Sequence, residues 1–117
     1  MNRIDVLGVG FDDLTMDEAV EAALGFTAAR EAAYACTPNP EIVMAARENS
    51  SLAAALKGAS LVLADGVGVT KAAQLLRTPL KGRVPGIDFA QSLIARLAER
   101  GGSVYLFGAK PGVAEAA

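Results

Sequence analysis

The five residues Ser60-Leu61-Val62-Leu63-Ala64 carry no charge and stop abruptly at Asp65-Gly66. That run is too short for a packed helix. Its apolar residues also do not alternate with polar ones, as they would on a half-solvated strand. It reads as a strand covered on both faces, the pattern of a parallel sheet enclosed by helices. A parallel neighbour needs a long crossover, so helices are expected on either side of this segment.

The rest of the chain supplies them. Arg3 to Val9 reads as a first strand ending at Gly10, and Thr15-Met16-Asp17-Glu18 as a capping box that opens a helix with Ala19, Val20, Ala23 and Leu24 on its apolar face. Ala33-Tyr34-Ala35-Cys36 is a second short strand, stopped by the two prolines of Thr37-Pro38-Asn39-Pro40. Asn39 is placed as an N-cap with Pro40 at the first helical position, followed by the stripe Ile42, Val43 and Ala46. Ser50 or Ser51 caps another short helix, which ends at Lys57-Gly58. After the central strand come a helix from Val69 to Arg77, a Pro/Gly-punctuated loop from Thr78 to Ile87, and a helix from Asp88 to Arg100 with Phe89, Leu93, Ile94 and Leu97 inward. Ser103 to Gly108 is a fourth strand, and Ala109-Lys110-Pro111-Gly112 leads into a last helical turn. The expected fold is α/β, a Rossmann-like, mainly parallel sheet flanked by helices, in one domain over residues 1–117. A final strand, turn and helix start is half of a βαβ unit, so an incomplete chain is expected; a small domain with a fraying last helix is the alternative.

Composition narrows the function. The 117 residues carry a formal net charge of −2, which is not the basic footprint that nucleic acid demands, and nucleic acid is not expected as a partner. The single Cys36 has no internal disulfide partner, and Met1 to Asp5 has no apolar core of signal-peptide length. A reducing cytoplasm fits. No apolar run approaches the length of a membrane span.

Ligands of open parallel sheets bind beyond the carboxyl ends of the strands, which directs attention to Gly8 to Asp13, Thr37 to Asn39, Asp65 to Gly68 and Gly108 to Gly112. The chain has no His, so carboxylates are the natural acid/base groups, and Asp65 leads as the catalytic candidate. Gly66 beside it admits close backbone approach. Asp65 also fits the plainer role of capping the following helix or turn. Thr37 and Asn39 offer a hydroxyl and an amide on a proline-stiffened loop, although turn preference for Thr37 and N-capping for Asn39 are the stronger explanation from position alone. Arg83, in the Pro/Gly-rich loop with Gly86, has a guanidinium suited to phosphate or sugar, and as a solvated surface residue it would be ordinary. The Gly108, Lys110 and Gly112 turn offers amides and a cation to phosphate. Gly8-Val9-Gly10 and Gly66-Val67-Gly68 do not complete a dinucleotide fingerprint, because Asp13 and Lys71 stand where its third glycine would fall. Cys/His metal spacing is missing. Asp12-Asp13 reads as a solvated turn before the Thr15 cap.

Three motifs, Thr37-Pro38-Asn39-Pro40-Glu41-Ile42-Val43, Ala64-Asp65-Gly66-Val67-Gly68 and Gly82-Arg83-Val84-Pro85-Gly86-Ile87-Asp88, resemble in order and spacing those of the WecG/TagA/CpsF glycosyltransferases, of which this chain looks like the front portion. The resemblance implies an inverting transfer of an N-acetylmannosamine-type sugar from a UDP donor to undecaprenyl-diphosphate-linked N-acetylglucosamine, in cell-envelope polysaccharide or teichoic acid synthesis. It implies Asp65 as the general base, Thr37, Asn39, Gly66, Arg83 and Gly86 around the sugar, and neither metal nor cofactor. The setting implied is the bacterial cytoplasm, at the inner face of the plasma membrane if a C-terminal tail supplies peripheral contact. Homo-oligomerisation stays open. The alternative function is a non-catalytic UDP-sugar-binding remnant, and an unrelated small α/β domain is a third reading.

Overall fold

The computed structural model describes residues 3–117; Met1 and Asn2 lie outside the described residues. The chain starts with a hairpin, β1 (Arg3–Val6) and β2 (Val9–Asp12), where the sequence suggests one strand from Arg3 to Val9. Arg3 pairs with Asp12 and Val6 with Val9, antiparallel, leaving Leu7 and Gly8 as a two-residue turn. Both turn residues have positive φ, 52° and 93°, as the tight hairpin turn requires. Gly8 does this freely. Leu7 does not, and the Asp5 carboxylate steadies the turn by accepting the Gly8 N–H at 3.0 Å. An apolar run that conceals its turn at a leucine reads as continuous strand, which is why the hairpin escapes a pattern reading.

The helix α1 (Met16–Ala29) begins with the expected reciprocal cap: Thr15 Oγ1 accepts from Glu18 N and a Glu18 carboxylate oxygen accepts from Thr15 N. It ends at Arg30, whose backbone is left-handed. β3 (Ala35–Cys36) leads into α2 (Pro40–Glu48), with Asn39 as N-cap and Pro40 in the first turn. α3 (Ser50–Gly58) is capped by Asn49, not by either serine; its Oδ1 accepts from Leu52 N at 3.0 Å. Asn49 also ends α2, so a single residue bends the chain between two helices. β4 (Leu61–Val62) follows, then α4 (Val67–Leu75), α5 (Gly86–Glu99) and the single turn α6 (Val113–Ala116). α4 and α5 each start two residues earlier than their apolar stripes indicate. Ile94, expected inward on α5, is 42% exposed, while Phe89 is buried.

β3 and β4 pair in parallel, Ala35 with Leu61 and Cys36 with Val62. Leu63 N extends the ladder by donating to Cys36 O at 2.9 Å. Side chains of the central run then alternate between two cores. Val62 and Ala64 join Val6, Val9 and Phe11 of the hairpin, Val43 and Ala46 of α2, Leu56 of α3, and Val69 and Ala73 of α4. Leu61 and Leu63 join Ala19, Val20 and Leu24 of α1, with Val84 and Phe89. A strand covered by helices on both faces is what its uninterrupted apolar sequence demands.

The fold is therefore mixed α/β, with two two-stranded sheets among the described residues. Ser103 to Gly108, expected as a strand, has no ladder partner among the described residues, and Val104, Tyr105, Leu106 and Phe107 are 47–92% exposed. A strand exists only through a hydrogen-bonding neighbour, so apolar sequence alone does not make one.

Candidate functional site at the carboxyl ends of the parallel strands

Because β3 and β4 run in parallel, the loops that leave them emerge at one end. Asp65 N donates to Pro38 O at 3.3 Å, which ties the Asp65 loop to the Thr37 loop. A third segment joins them: Val84 N donates to Ala64 O at 2.7 Å, and Gly86 N lies 3.4 Å from Asp65 Oδ2. Two glycines make the approach possible. A Cβ on Gly86 would sit 2.8 Å from Thr37 Oγ1, and one on Gly68 would sit 2.7 Å from Pro40 Cγ. Any side chain at either position would force these loops apart. Gly66 has φ +93°, a conformation that favours glycine, and it directs the chain from Asp65 into α4.

Asp65 does not cap the helix that follows it. The N-cap of α4 is Gly66, with no side-chain bond, whereas the Asp65 carboxylate reaches across to the first residue of α5. There it meets the partial positive end of a 14-residue helix. The carboxylate is half-buried and has lone pairs to spare, so it can accept a proton from a hydroxyl brought to this end of the strands. Asn39 is exposed and caps α2 through Oδ1, which accepts from Ile42 N at 3.0 Å. The cap uses only its carbonyl oxygen. Arg83 is exposed and has no side-chain hydrogen bond or ion pair among the described residues.

Thr37, Asp65, Gly66 and Gly86 are thus brought together, with Asn39 and Arg83 on the loops that flank them. Gly108, Lys110 and Gly112 are not. They lie in an exposed segment whose backbone hydrogen bonds stay local, such as Val113 N to Lys110 O at 3.1 Å. Among the described residues, no cluster of three or more His, Cys, Asp or Glu side chains is arranged to hold a metal ion.

Sequence reasoning missed the residues that position the Arg83 loop. Asp13 accepts from Lys81 N at 2.7 Å, and Lys81 Nζ pairs with Glu18 at 3.2 Å. The Thr15 cap hydrogen bond, and then Lys81, hold the Glu18 carboxyl below its usual range. Asp12 is a larger surprise. Expected in a solvated turn, it is 4% exposed, accepting from Arg3 Nε at 3.2 Å and from Val62 N at 2.8 Å. Alternation along β2 gives no signal for it, because Asp12 follows buried Phe11 and so falls on the opposite face, with Gly10. A cleft of about 420 Å³ lined by Arg3, Gly10, Ala53 and Lys57 takes no residue from the three site loops.

Similarity to known proteins gives the chain its family. The pattern of the Glycosyl transferase WecG/TagA/CpsF family matches residues 4–117. The chain belongs to this family. Relatives from Staphylococcus aureus strains NCTC 8325 / PS 47 and COL, each named N-acetylglucosaminyldiphosphoundecaprenol N-acetyl-beta-D-mannosaminyltransferase, are 37% identical over 117 residues, covering 98% of this chain and 46% of theirs. The chain spans about half the length of these curated relatives.

Proposed function

We propose that this family member takes part in an inverting glycosyl transfer, moving an N-acetylmannosamine-type sugar from a UDP donor to N-acetylglucosamine on undecaprenyl diphosphate. The observation that carries this reading is the Asp65 carboxylate at the meeting point of three loops, in a chain related to enzymes named for that reaction. In this mechanism Asp65 takes the proton of the acceptor hydroxyl as its oxygen attacks the anomeric carbon. The bond from that carbon to the UDP oxygen breaks, and UDP leaves with the electron pair. A single displacement inverts the anomeric centre. Thr37 and Asn39 offer polar groups to the sugar, and Arg83 a guanidinium to the diphosphate; Gly66 and Gly86 keep the approach open.

The finer architecture belongs to the same proposal: β3 and β4 are part of a Rossmann-like, mainly parallel sheet. With a lipid-linked acceptor, the reaction is placed in the bacterial cytoplasm at the inner face of the membrane, through peripheral contact. No helix among the described residues is long and apolar enough to cross it.

Asp65→Asn removes the base while keeping the shape. Transfer, assayed with UDP-sugar and a lipid-linked acceptor, is expected to fall by about 10²–10⁴-fold, with donor binding retained. Wild-type turnover by this variant would refute the base assignment. The separation of Gly108, Lys110 and Gly112 from the other site residues favours a second reading, a UDP-sugar binder without transfer activity. Calorimetric binding of the UDP-sugar with no product formed would select it.

A further inference from the structure

We infer that Asp13 is a positioning residue for Arg83: its carboxylate fixes the loop from which that guanidinium meets the donor diphosphate, an assignment that rests on the donor reading of Arg83 above. Arg83 does not fix itself. Its side chain is exposed and makes no hydrogen bond or ion pair among the described residues. Gly82 beside it is also exposed, and a Cβ there would meet nothing within 4 Å. With no packing along the arch from Lys81 to Val84, its two feet set where Arg83 stands.

Both feet are tied to the same stretch of chain. At one, Val84 N donates to Ala64 O at 2.7 Å, and the Val84 side chain is buried in the core beneath α1. At the other, Lys81 N donates to Asp13 Oδ1 at 2.7 Å, and Leu80 just before it packs against the core on the hairpin side. Asp13 is delivered from a rigid bracket. The buried Asp12 carboxylate accepts from Val62 N at 2.8 Å, and Leu14 N donates to Asp12 O at 3.0 Å. The bonds therefore close a ring: from Val62 of β4 through Asp12 and Asp13 to Lys81, along the arch to Val84, and back to Ala64. Asp65 is the next residue. The general base and the guanidinium are thus referenced to one strand end, and a loosened foot appears directly as a displaced Arg83.

The two contacts at the Lys81 foot differ in weight. Lys81 Nζ reaches Glu18 at 3.2 Å, but both side chains are about half exposed, and such pairs contribute little. The Asp13 bond runs from a backbone N–H to a half-buried carboxylate, which is short, charge-assisted and free of a flexible side chain on the donor side. Misplacing a positioning group by about 1 Å can cost on the order of a hundredfold, so a partial shift of the arch is expected to cost about tenfold.

Two measurements decide it. The first needs no nucleotide. Amide hydrogen exchange at Lys81 and Val84 of the wild-type chain is expected to be at least about tenfold slower than the unstructured rate, and Asp13→Ala to speed both by about tenfold while the Val20 and Leu24 amides of α1 keep their rates. Asp13→Asn, which retains an oxygen acceptor, should recover most of the protection. The second is calorimetric titration with UDP. Asp13→Ala is expected to weaken binding about tenfold, Asp13→Asn by no more than about threefold, and Asp13→Ala added to Arg83→Ala by nothing further. Losses that multiply in the double variant overturn the inference, because Asp13 would then act by a route other than Arg83. Unprotected Lys81 and Val84 amides in the wild-type chain, or amides indifferent to Asp13→Ala, overturn it whatever the nucleotide does. A wild-type chain with slow amides at both feet that binds no UDP overturns it through the donor reading, and the exchange data tell that failure from a failure of the anchoring.

Discussion

A carboxylate with 4% exposure has to be matched by donors, and Asp12 is matched twice, by Arg3 Nε and by Val62 N. Arg3 in turn donates to Lys57 O and Ala59 O, so one ion pair joins the hairpin to β4 and to the end of α3. Asp12→Ala leaves the buried Val62 N–H and the Arg3 guanidinium without this partner and is expected to cost about 2–4 kcal/mol, read as a lower urea midpoint. Asp12→Asn, which keeps an acceptor but not the charge, should cost less; equal losses would show that the charge and not the acceptor is what counts. At the site the decisive residue is small. Gly86→Ala places a Cβ 2.8 Å from Thr37 Oγ1, and with little room to yield it should destabilise the chain by about 1–3 kcal/mol. Shortening the opposing side chain should recover part of this, so Gly86→Ala combined with Thr37→Ala is expected to cost less than the sum of the single changes. Strict additivity in that double-mutant cycle would show that the two loops do not press on each other.

Caps dominate at the scale of elements. Thr15→Ala removes the acceptor for Glu18 N and is expected to lower stability by about 0.5–2 kcal/mol, measured by denaturant unfolding. Glu18 gives the same cap a pH dependence. Its folded carboxyl is held below the ordinary value of 4.5, first by the Thr15 N–H and then by Lys81. A depressed carboxylate contributes its stabilisation fully above the ordinary value and loses it as pH falls through the folded one. Glu18→Gln should therefore flatten the loss of stability below about pH 4.5, and an unchanged acid limb would rule the linkage out. These caps were legible because they are local: Thr15 and Glu18, or Asn39 and Pro40, announce a helix start within a few residues. The central strand was legible from its composition. The hairpin turn at Leu7 was not, because an unfavourable residue occupies it, and neither was the partnerless state of Ser103 to Phe107, because pairing is a property of two segments. The site falls between these cases. The motifs pointed to Thr37, Asp65 and Gly86, but only folding revealed that Asp65 reaches α5 and that Asp13 and Glu18 anchor the loop bearing Arg83.

For the whole molecule, the two cores are not separate folding units, because neighbouring residues of one strand supply both. Leu61 and Leu63 enter the α1 and α5 side, and Val62 and Ala64 the side of the hairpin, α2, α3 and α4. Losing either core removes the cover from one face of β4 and exposes the backbone hydrogen bonds that pair it with β3. A substitution in one core should therefore destabilise the other by the same amount. Leu24, 2% exposed on α1, provides the test: Leu24→Ala deletes buried methyl groups and is expected to cost about 2–5 kcal/mol. The informative measurement is how the loss is distributed. Under native-state hydrogen exchange, the most protected amides of α1 and those of α2, Val43 and Ala46 among them, should lose protection equally, although α2 belongs to the other core. Protection that falls in α1 and α5 while α2 keeps its wild-type value would mean that the layers open independently. The strand end carrying Asp65 would then hold its geometry through one layer alone.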